Sequence, residues 1–256
     1  MSTISIENRG PVRWLTMSRP DRHNAFNPLL IAELKEAFLA AGSDPAVRAI
    51  VLAGEGASFS AGADLDWMKG QGEASEEENV SSAKEMGELF RVIDRCPKPV
   101  VARVQGAALG GGAGLVCSVD IAVAGSKALF GFTEVRLGLV AAVISPFVVR
   151  RLGLSNSRAK LLTGERFDAA EAYRIGLVHH YAEDLDGELE RVLASLLKGS
   201  LQAQKASKEL LSAVWELPHE EQLEVTAQVI ARARASCDGR EGLSAFLEKR
   251  KPIWSL

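Results

Sequence analysis

The run Leu109-Gly110-Gly111-Gly112-Ala113-Gly114 follows closely on an extended stretch from Pro99 to Val104. Consecutive glycines carry a backbone-entropy penalty that an ordinary helix avoids. Placed where a strand hands over to a helix, they imply that a ligand or a packed neighbour approaches the main chain closely. Amides in the first helical turn lack an intrahelical acceptor and sit at the positive end of the helix dipole, so they suit a developing oxyanion. A second loop shares this design: Phe59-Ser60-Ala61-Gly62-Ala63-Asp64-Leu65 follows the apolar stretch Val47 to Ala53, with Asp64 placed to cap a short helix through Met68. Two such turns, each offering an N–H, form a two-donor anion hole, and one donor contributes roughly 3–4 kcal/mol in an acyl-type transition state. Taken singly, either loop is as readily a tight turn with close packing. Glu134 follows the small and apolar Phe130-Gly131-Phe132 and precedes Val135, flanks that desolvate a carboxyl and raise its pKa toward a useful range. In isolation, a glutamate in that context is more often a surface residue or a helix cap.

The elements that must position these groups alternate. Residues 1–7 and Val12 to Met17 have strand patterns, and Pro28 to Ala41 is helical through Leu30, Leu34 and Phe38. Val47 to Ala53 is a near-continuous apolar strand of the kind covered on both faces. Gly70 to Glu78, with two glycines and four glutamates, is expected to be mobile, and Asn79 to Arg95 resumes helical spacing. Strands at Val100–Val104 and Asp120–Ala124 complete a strand–helix–strand order that predicts an α/β fold with parallel pairing. From about residue 143 helices dominate: 143–152, 157–162, 168–175, 185–197, 200–217, 220–236 and 240–250. No internal repeat separates this helical part from the core.

Composition narrows the function class. A chain of 256 residues with a formal charge of −3 and no basic block gives no footprint for nucleic acid. No apolar run has membrane-spanning length, and the start of the sequence has neither a signal nor a transit pattern. Cys96, Cys117 and Cys237 are odd in number and lack metal-ligand spacing, which favours reduced thiols and a cytoplasmic setting. His23, His179, His180 and His219 likewise lack ligand spacing, so no metal is expected. His179-His180 is expected to finish a strand and Asp120 to anchor a turn. Asp66 and Lys69 read as a solvated helix face, and Trp67, Met68 and Phe132 as core or pocket wall.

Several segments together resemble the crotonase superfamily of enoyl-CoA hydratases and isomerases. They are Arg22-His23-Asn24-Ala25-Phe26-Asn27, Ser60-Ala61-Gly62-Ala63-Asp64-Leu65, Gly106 to Gly112, Phe130 to Gly138 and Glu241 to Arg250. The resemblance covers essentially the whole chain in order. It implies a ββα spiral core over residues 1–195 and a C-terminal helical trimerisation region over 196–256, in a homotrimer or homohexamer. It further implies that the amides of Ala63 and Gly111 polarise an acyl-CoA thioester carbonyl, and that Glu134 moves the proton. The main chain near Ala25, Ala61, Ala63, Asp64, Leu65 and Gly110 would seat CoA, with Phe246 and Lys249 reaching a neighbouring subunit's CoA. By sequence alone, Lys249 is more simply a solvated helix end. Coenzyme A is part of the substrate, and no separate cofactor is implied.

One position departs from the family pattern. Hydratases of the family carry a second glutamate in a Gly-Gly-Gly-x-Glu pattern, and here that position is Gly114. Through Ala63 to Lys69, Glu134 to Leu139 and Ile144 to Val149, the resemblance extends to a bacterial subgroup of methylglutaconyl-CoA hydratase-like members, of branched-chain catabolism, that often has glycine there. Ala141 also replaces a proline usual in relatives. The leading expectation is reversible hydration of an enoyl-CoA, a carbon–oxygen lyase reaction. The alternatives are a Δ3,Δ2-enoyl-CoA isomerase using Glu134 alone and a non-catalytic acyl-CoA binder. Arg91 and Arg136 are possible partners for a substrate carboxylate.

Overall fold

A computed structural model describes residues 2–255 of the chain. The two amino-terminal strands, β1 (Ile4–Arg9) and β2 (Val12–Met17), pair antiparallel around Gly10, whose φ of +56° suits glycine. Asn27 accepts a hydrogen bond from the Leu30 amide and caps α1 (Pro28–Ser43), which buries Leu30, Leu34 and Phe38 as their spacing predicts. β3 (Ala49–Gly54) is buried along its whole length and lies parallel to β2. α2 (Leu65–Glu73) and α3 (Glu76–Asp94) follow. β4 (Val100–Val104) pairs parallel to β3 and is followed by the short β5 (Ala107–Leu109) and α4 (Gly111–Ser118).

Beyond α4 come β6 (Ile121–Gly125), β7 (Leu129–Gly131), α5 (Ser145–Thr163), β8 (Arg166–Asp168), α6 (Ala169–Arg174), β9 (His180–Ala182) and α7 (Leu185–Leu197). A six-stranded sheet runs β1-β2-β3-β4-β6-β9, all parallel after the first hairpin. A second sheet of three short strands runs β5-β7-β8. The expected α/β class and parallel pairing are therefore present. Between the layers Phe26, Phe38, Phe59, Phe90, Phe130 and Phe132 are each under 2% exposed. Burial of each such ring stabilises the fold by about 1.5–3 kcal/mol.

The described residues up to Cys96, with Val100–Glu190, form one compact unit; Pro97–Pro99 and the residues from Arg191 onward form another. The second holds α8 (Leu201–Glu216), α9 (His219–Ala235) and α10 (Cys237–Leu247). These helices line a cavity of about 960 Å³ with Leu210, Val229, Leu243 and Trp254 on its wall.

Two expectations need correction. Helical structure does not wait until Asn79: α2 runs through Glu73, and Ser75 with Glu78 forms a reciprocal capping box that starts α3 at Glu76. Acidic residues in that first turn suit the helix dipole, so a glutamate-rich stretch is a helix start. His180 opens β9 and does not close a strand. The strands β5, β7 and β8 have three residues each, too few for a period-two pattern to emerge.

Candidate active site

The site is assembled where three chain segments meet. Arg22 to Asn27 bends sharply, with His23 (φ 50°) and Asn24 (φ 53°) both left-handed, a conformation uncommon for non-glycine residues. The fully buried Asn24 holds this bend: its amide donates to the carbonyls of Glu55 and Ser58 (2.8 Å each), and its Oδ1 accepts from the Arg19 amide at 2.9 Å. Arg19 in turn donates to the Ala25 carbonyl and to the Asp64 carboxylate at 2.7 Å. Asp64 also accepts from the Asp66 amide and caps α2. Burial pushes the Asp64 pKa up, but the Arg19 hydrogen bond and charge outweigh it, so the carboxylate titrates below its usual range. Asp64 is thus committed to structure through Arg19 and the helix start.

This bend clamps the second loop. Phe26 N–H donates to Gly62 C=O at 2.7 Å, and Asp64 N–H donates to Phe26 C=O at 2.8 Å. The Ala61 N–H goes to His23 C=O at 2.9 Å. On the other side Ser60 N–H meets Ala107 C=O at 3.0 Å, and Leu109 N–H meets Ser60 C=O at 2.9 Å. Ala63 lies between the bonded residues of a parallel bridge, so its N–H faces away from Phe26, and it has no acceptor among the described residues.

The glycine turn is packed from every side. Gly110 has φ 50° and ψ −121°, its N–H donates to Gly131 C=O at 2.8 Å, and Gly114 N–H donates back to Gly110 C=O at 3.0 Å. A Cβ on Gly111 would lie 2.6 Å from the Phe26 ring, and one on Gly112 would lie 2.3 Å from Ser60 C=O. A Cβ on Gly62 would lie 2.9 Å from Leu109 C=O, so the two loops touch at their backbones. The packing alternative for these glycines is therefore real, and the free amides coexist with it. Gly111 opens α4, and its N–H too has no acceptor among the described residues.

Glu134 begins a 3₁₀ turn, Glu134–Leu137, separated from β7 by Phe132 and Thr133. Its Oε1 would sit 3.3 Å from a Cβ on Gly110, which places the carboxyl against the glycine turn. Its Oε2 is buried and has no hydrogen-bond partner. Burial pushes the Glu134 pKa above the usual glutamate range, only partly opposed by its own backbone amide. A buried, unpartnered carboxyl oxygen is costly and rare, and its persistence beside two free amides marks a functional centre.

Ala25, Ala61, Ala63, Asp64, Leu65, Gly110, Gly111 and Glu134 thus belong to one cluster. Leu65, the first residue of α2, is 78% exposed. Phe246 and Lys249 belong to the second unit, where both are exposed and Lys249 has φ 56° just past α10. Arg91 pairs with Glu88 on the surface of α3, and Arg136 is exposed. Asp66 is exposed and pairs with Arg22 at 3.4 Å, and Lys69 is exposed. Phe132 is core. Asp120 accepts from the Val100 amide at 2.8 Å, the expected anchoring role. Gly114 is buried, and a Cβ there would meet Ile144 Cγ2 at 2.4 Å and Phe90 Cε1 at 3.3 Å. Sequence reasoning missed Arg19, Asn24 and Ile144. The segments around Asn24 and Ile144 carried a signal only through the resemblance, and the packing of Ile144 over Gly114 was hidden because it depends on contact with a residue 30 positions earlier.

A family model described as "Enoyl-CoA hydratase/isomerase" matches residues 7–255. The crotonyl-CoA hydratase of Syntrophomonas wolfei is 34% identical, over 97% of this chain and 96% of its own. Among solved structures, an enoyl-CoA hydratase from Shewanella pealeana superposes with a TM-score of 0.95 at 40% identity, covering 98% of this chain and 96% of that one. An enoyl-CoA hydratase/isomerase from Marinobacter aquaeolei gives 0.94 at 35% identity, with 99% of both chains covered. The loops, the glycine turn and the fold that carries them lie within these matches, and the chain belongs to the enoyl-CoA hydratase/isomerase family of the crotonase superfamily.

Proposed function

We propose that this protein is an enoyl-CoA hydratase: it adds water reversibly across the C2–C3 double bond of an α,β-unsaturated acyl-CoA thioester. The observation that carries the reading is the buried, unpartnered Oε2 of Glu134 against the turn that presents the free Gly111 amide. Ala63 and Gly111 N–H donate to the thioester oxygen. As water attacks C3, the Glu134 carboxylate takes its proton and the double-bond electrons move to give an enolate held by the two amides. The same carboxyl then returns its proton to C2. Hydroxyl and hydrogen have been added, and Glu134 is again a carboxylate. Backbone dipoles carry the charge, so the scheme uses no metal and no cofactor apart from the CoA of the substrate.

In this reading the backbone of Ala25, Ala61, Leu65 and Gly110 seats the CoA portion, with Asp64 holding the seat through Arg19. Phe246 and Lys249 belong to an oligomerisation region over residues 196–256 and reach a neighbouring subunit's CoA. Exposed Leu211, Trp215, Leu223 and Phe246 give that region an apolar surface to bury in a homotrimer or homohexamer. Light scattering should return three or six times the 27.4 kDa chain mass; a monomer contradicts this part. The reading includes a cytoplasmic setting, supported by the buried thiol of Cys117 and the exposed Cys237, neither in a disulfide.

A second reading has its own observation. Because Gly114 is sealed by Ile144 and Phe90, a Δ3,Δ2-enoyl-CoA isomerase that needs only Glu134 fits the same site. Crotonyl-CoA losing its conjugated-thioester absorbance supports hydration, whereas a 3-enoyl-CoA gaining it supports isomerisation. CoA binding with neither change, and no effect of Glu134→Gln, leaves a non-catalytic binder. Running methylglutaconyl-CoA beside crotonyl-CoA tests the branched-chain assignment.

A further inference from the structure

The absence of a second carboxylate is built into the packing around Gly114, and not only into its identity as glycine. Gly114 N–H donates to Gly110 C=O at 3.0 Å, so the two positions lie one helical turn apart, and Glu134 Oε1 lies against position 110. A side chain at 114 therefore starts within a turn of the carboxyl. Its first atom would meet Ile144 Cγ2 at 2.4 Å and Ile144 Cβ at 3.1 Å. Ile144 is itself 2% exposed and directly precedes α5, while Phe90 is held by Phe26 and Phe147 at ring-centroid distances of 6.3 and 5.7 Å. Of the two residues over Gly114, Ile144 makes the closer approach.

We propose that Ile144 fixes this site at one unpartnered carboxylate: it fills the volume that a side chain at 114 requires, and trimming it opens a further ionisable position within reach of Glu134. The proposal rests on the single-carboxylate reading above. Ile144 acts here as a positioning residue, through what it excludes.

The test is a double-mutant cycle with two readouts on the intact protein. Gly114→Ala alone should lower Tm by about 3–10 °C through overpacking, against the gain that alanine ordinarily brings to a helix interior. Ile144→Ala alone should lower Tm through its cavity. The pair should lose less than the sum of the singles by about 3 °C or more, because each relieves the other. A wild-type Tm for Gly114→Ala, or additive losses, overturns the proposal.

The second readout counts ionisable groups. With Gly114→Glu/Ile144→Ala, infrared titration of the carboxyl band should show Glu134 moved upward by about one pH unit relative to Ile144→Ala, since like charges nearby disfavour ionisation. Glu134→Gln in the same background assigns the band. An unmoved Glu134 titration overturns the proposal, and if this pair fails to fold, the alanine cycle still decides. Neither readout needs turnover. Failure of the hydratase reading is seen separately, as wild-type protein that neither hydrates nor isomerises any enoyl-CoA.

Discussion

The two ends of α4 are treated in opposite ways. At its carboxyl end Arg151 donates to the carbonyls of Val116, Cys117, Val119 and Asp120, and its Nη1 meets His179 Nε2 at 3.0 Å. His179 Nδ1 accepts from the Ala122 amide at 3.0 Å. A cation at a helix carboxyl terminus, donating to carbonyls of the last turn and just beyond it, is what stability demands. At the amino end the Gly111 N–H has no acceptor among the described residues, and the neighbouring Glu134 Oε2 is buried without a partner. One helix of eight residues thus carries a capped end and an end with a free amide. Unsatisfied groups persist in a folded protein where a ligand completes them, so the contrast separates scaffold from site.

Substitutions at the two ends should split activity from stability. The largest effect expected is Glu134→Gln, which should lower kcat by about 10²–10⁴-fold with CoA affinity unchanged. Equal losses in both would mean that the carboxyl binds and does not transfer protons. Gly111→Ala forces the turn away from Phe26 and so displaces its amide; steady-state assay should show kcat reduced by about 10²-fold. At the other end, Arg151→Met strips the donors from the α4 carbonyls. Calorimetry should show Tm lower by about 3–10 °C, with kcat of the folded protein within about twofold of wild type. A selective loss of kcat there would break the division between the ends.

Two smaller effects concern protons. Burial first, and then the charge of Arg151, push the His179 pKa down to about 4. The folded state therefore binds fewer protons than the unfolded one between about pH 6.5 and pH 4, and stability falls as pH drops through that window. After discounting for its partial exposure, the effect is about 1–2 kcal/mol, and His179→Asn should flatten this acid slope in urea titrations. Glu134 has the opposite sign. Its raised folded pKa means that stability declines as pH rises past the unfolded value, so Glu134→Gln should raise Tm at neutral pH by about 2 °C and lose that advantage in acid. Glu134 would then be a residue kept for turnover at the expense of stability.

The long periodic elements were legible in the sequence because their burial follows a single period: α1 through Leu30, Leu34 and Phe38, and β3 as an uninterrupted apolar run. Both loops and Glu134 were legible as chemistry only in combination, and their assignment leaned on resemblance. What the sequence did not display was contact between distant residues. Asn24 supports its bend through the carbonyls of Glu55 and Ser58, and Ile144 closes Gly114 from a segment 30 residues later. Three-residue strands such as β5 and β7 draw their pairing from the sheet and not from local pattern. The Gly70–Glu78 misreading is different in kind, since the Ser75–Glu78 capping box is local and decided a stretch whose glycines pointed away from helix.

Hydration and isomerisation alike require Glu134 and the amides of Ala63 and Gly111 to act on the same thioester. Exchange of the C2 hydrogens of saturated butyryl-CoA with deuterated water, followed by mass spectrometry, isolates that step from the choice between hydration and isomerisation. The wild-type protein should exchange deuterium into C2, and Glu134→Gln should slow this at least about 100-fold while still binding the thioester. Exchange that proceeds equally fast without the Glu134 carboxylate would contradict the assignment.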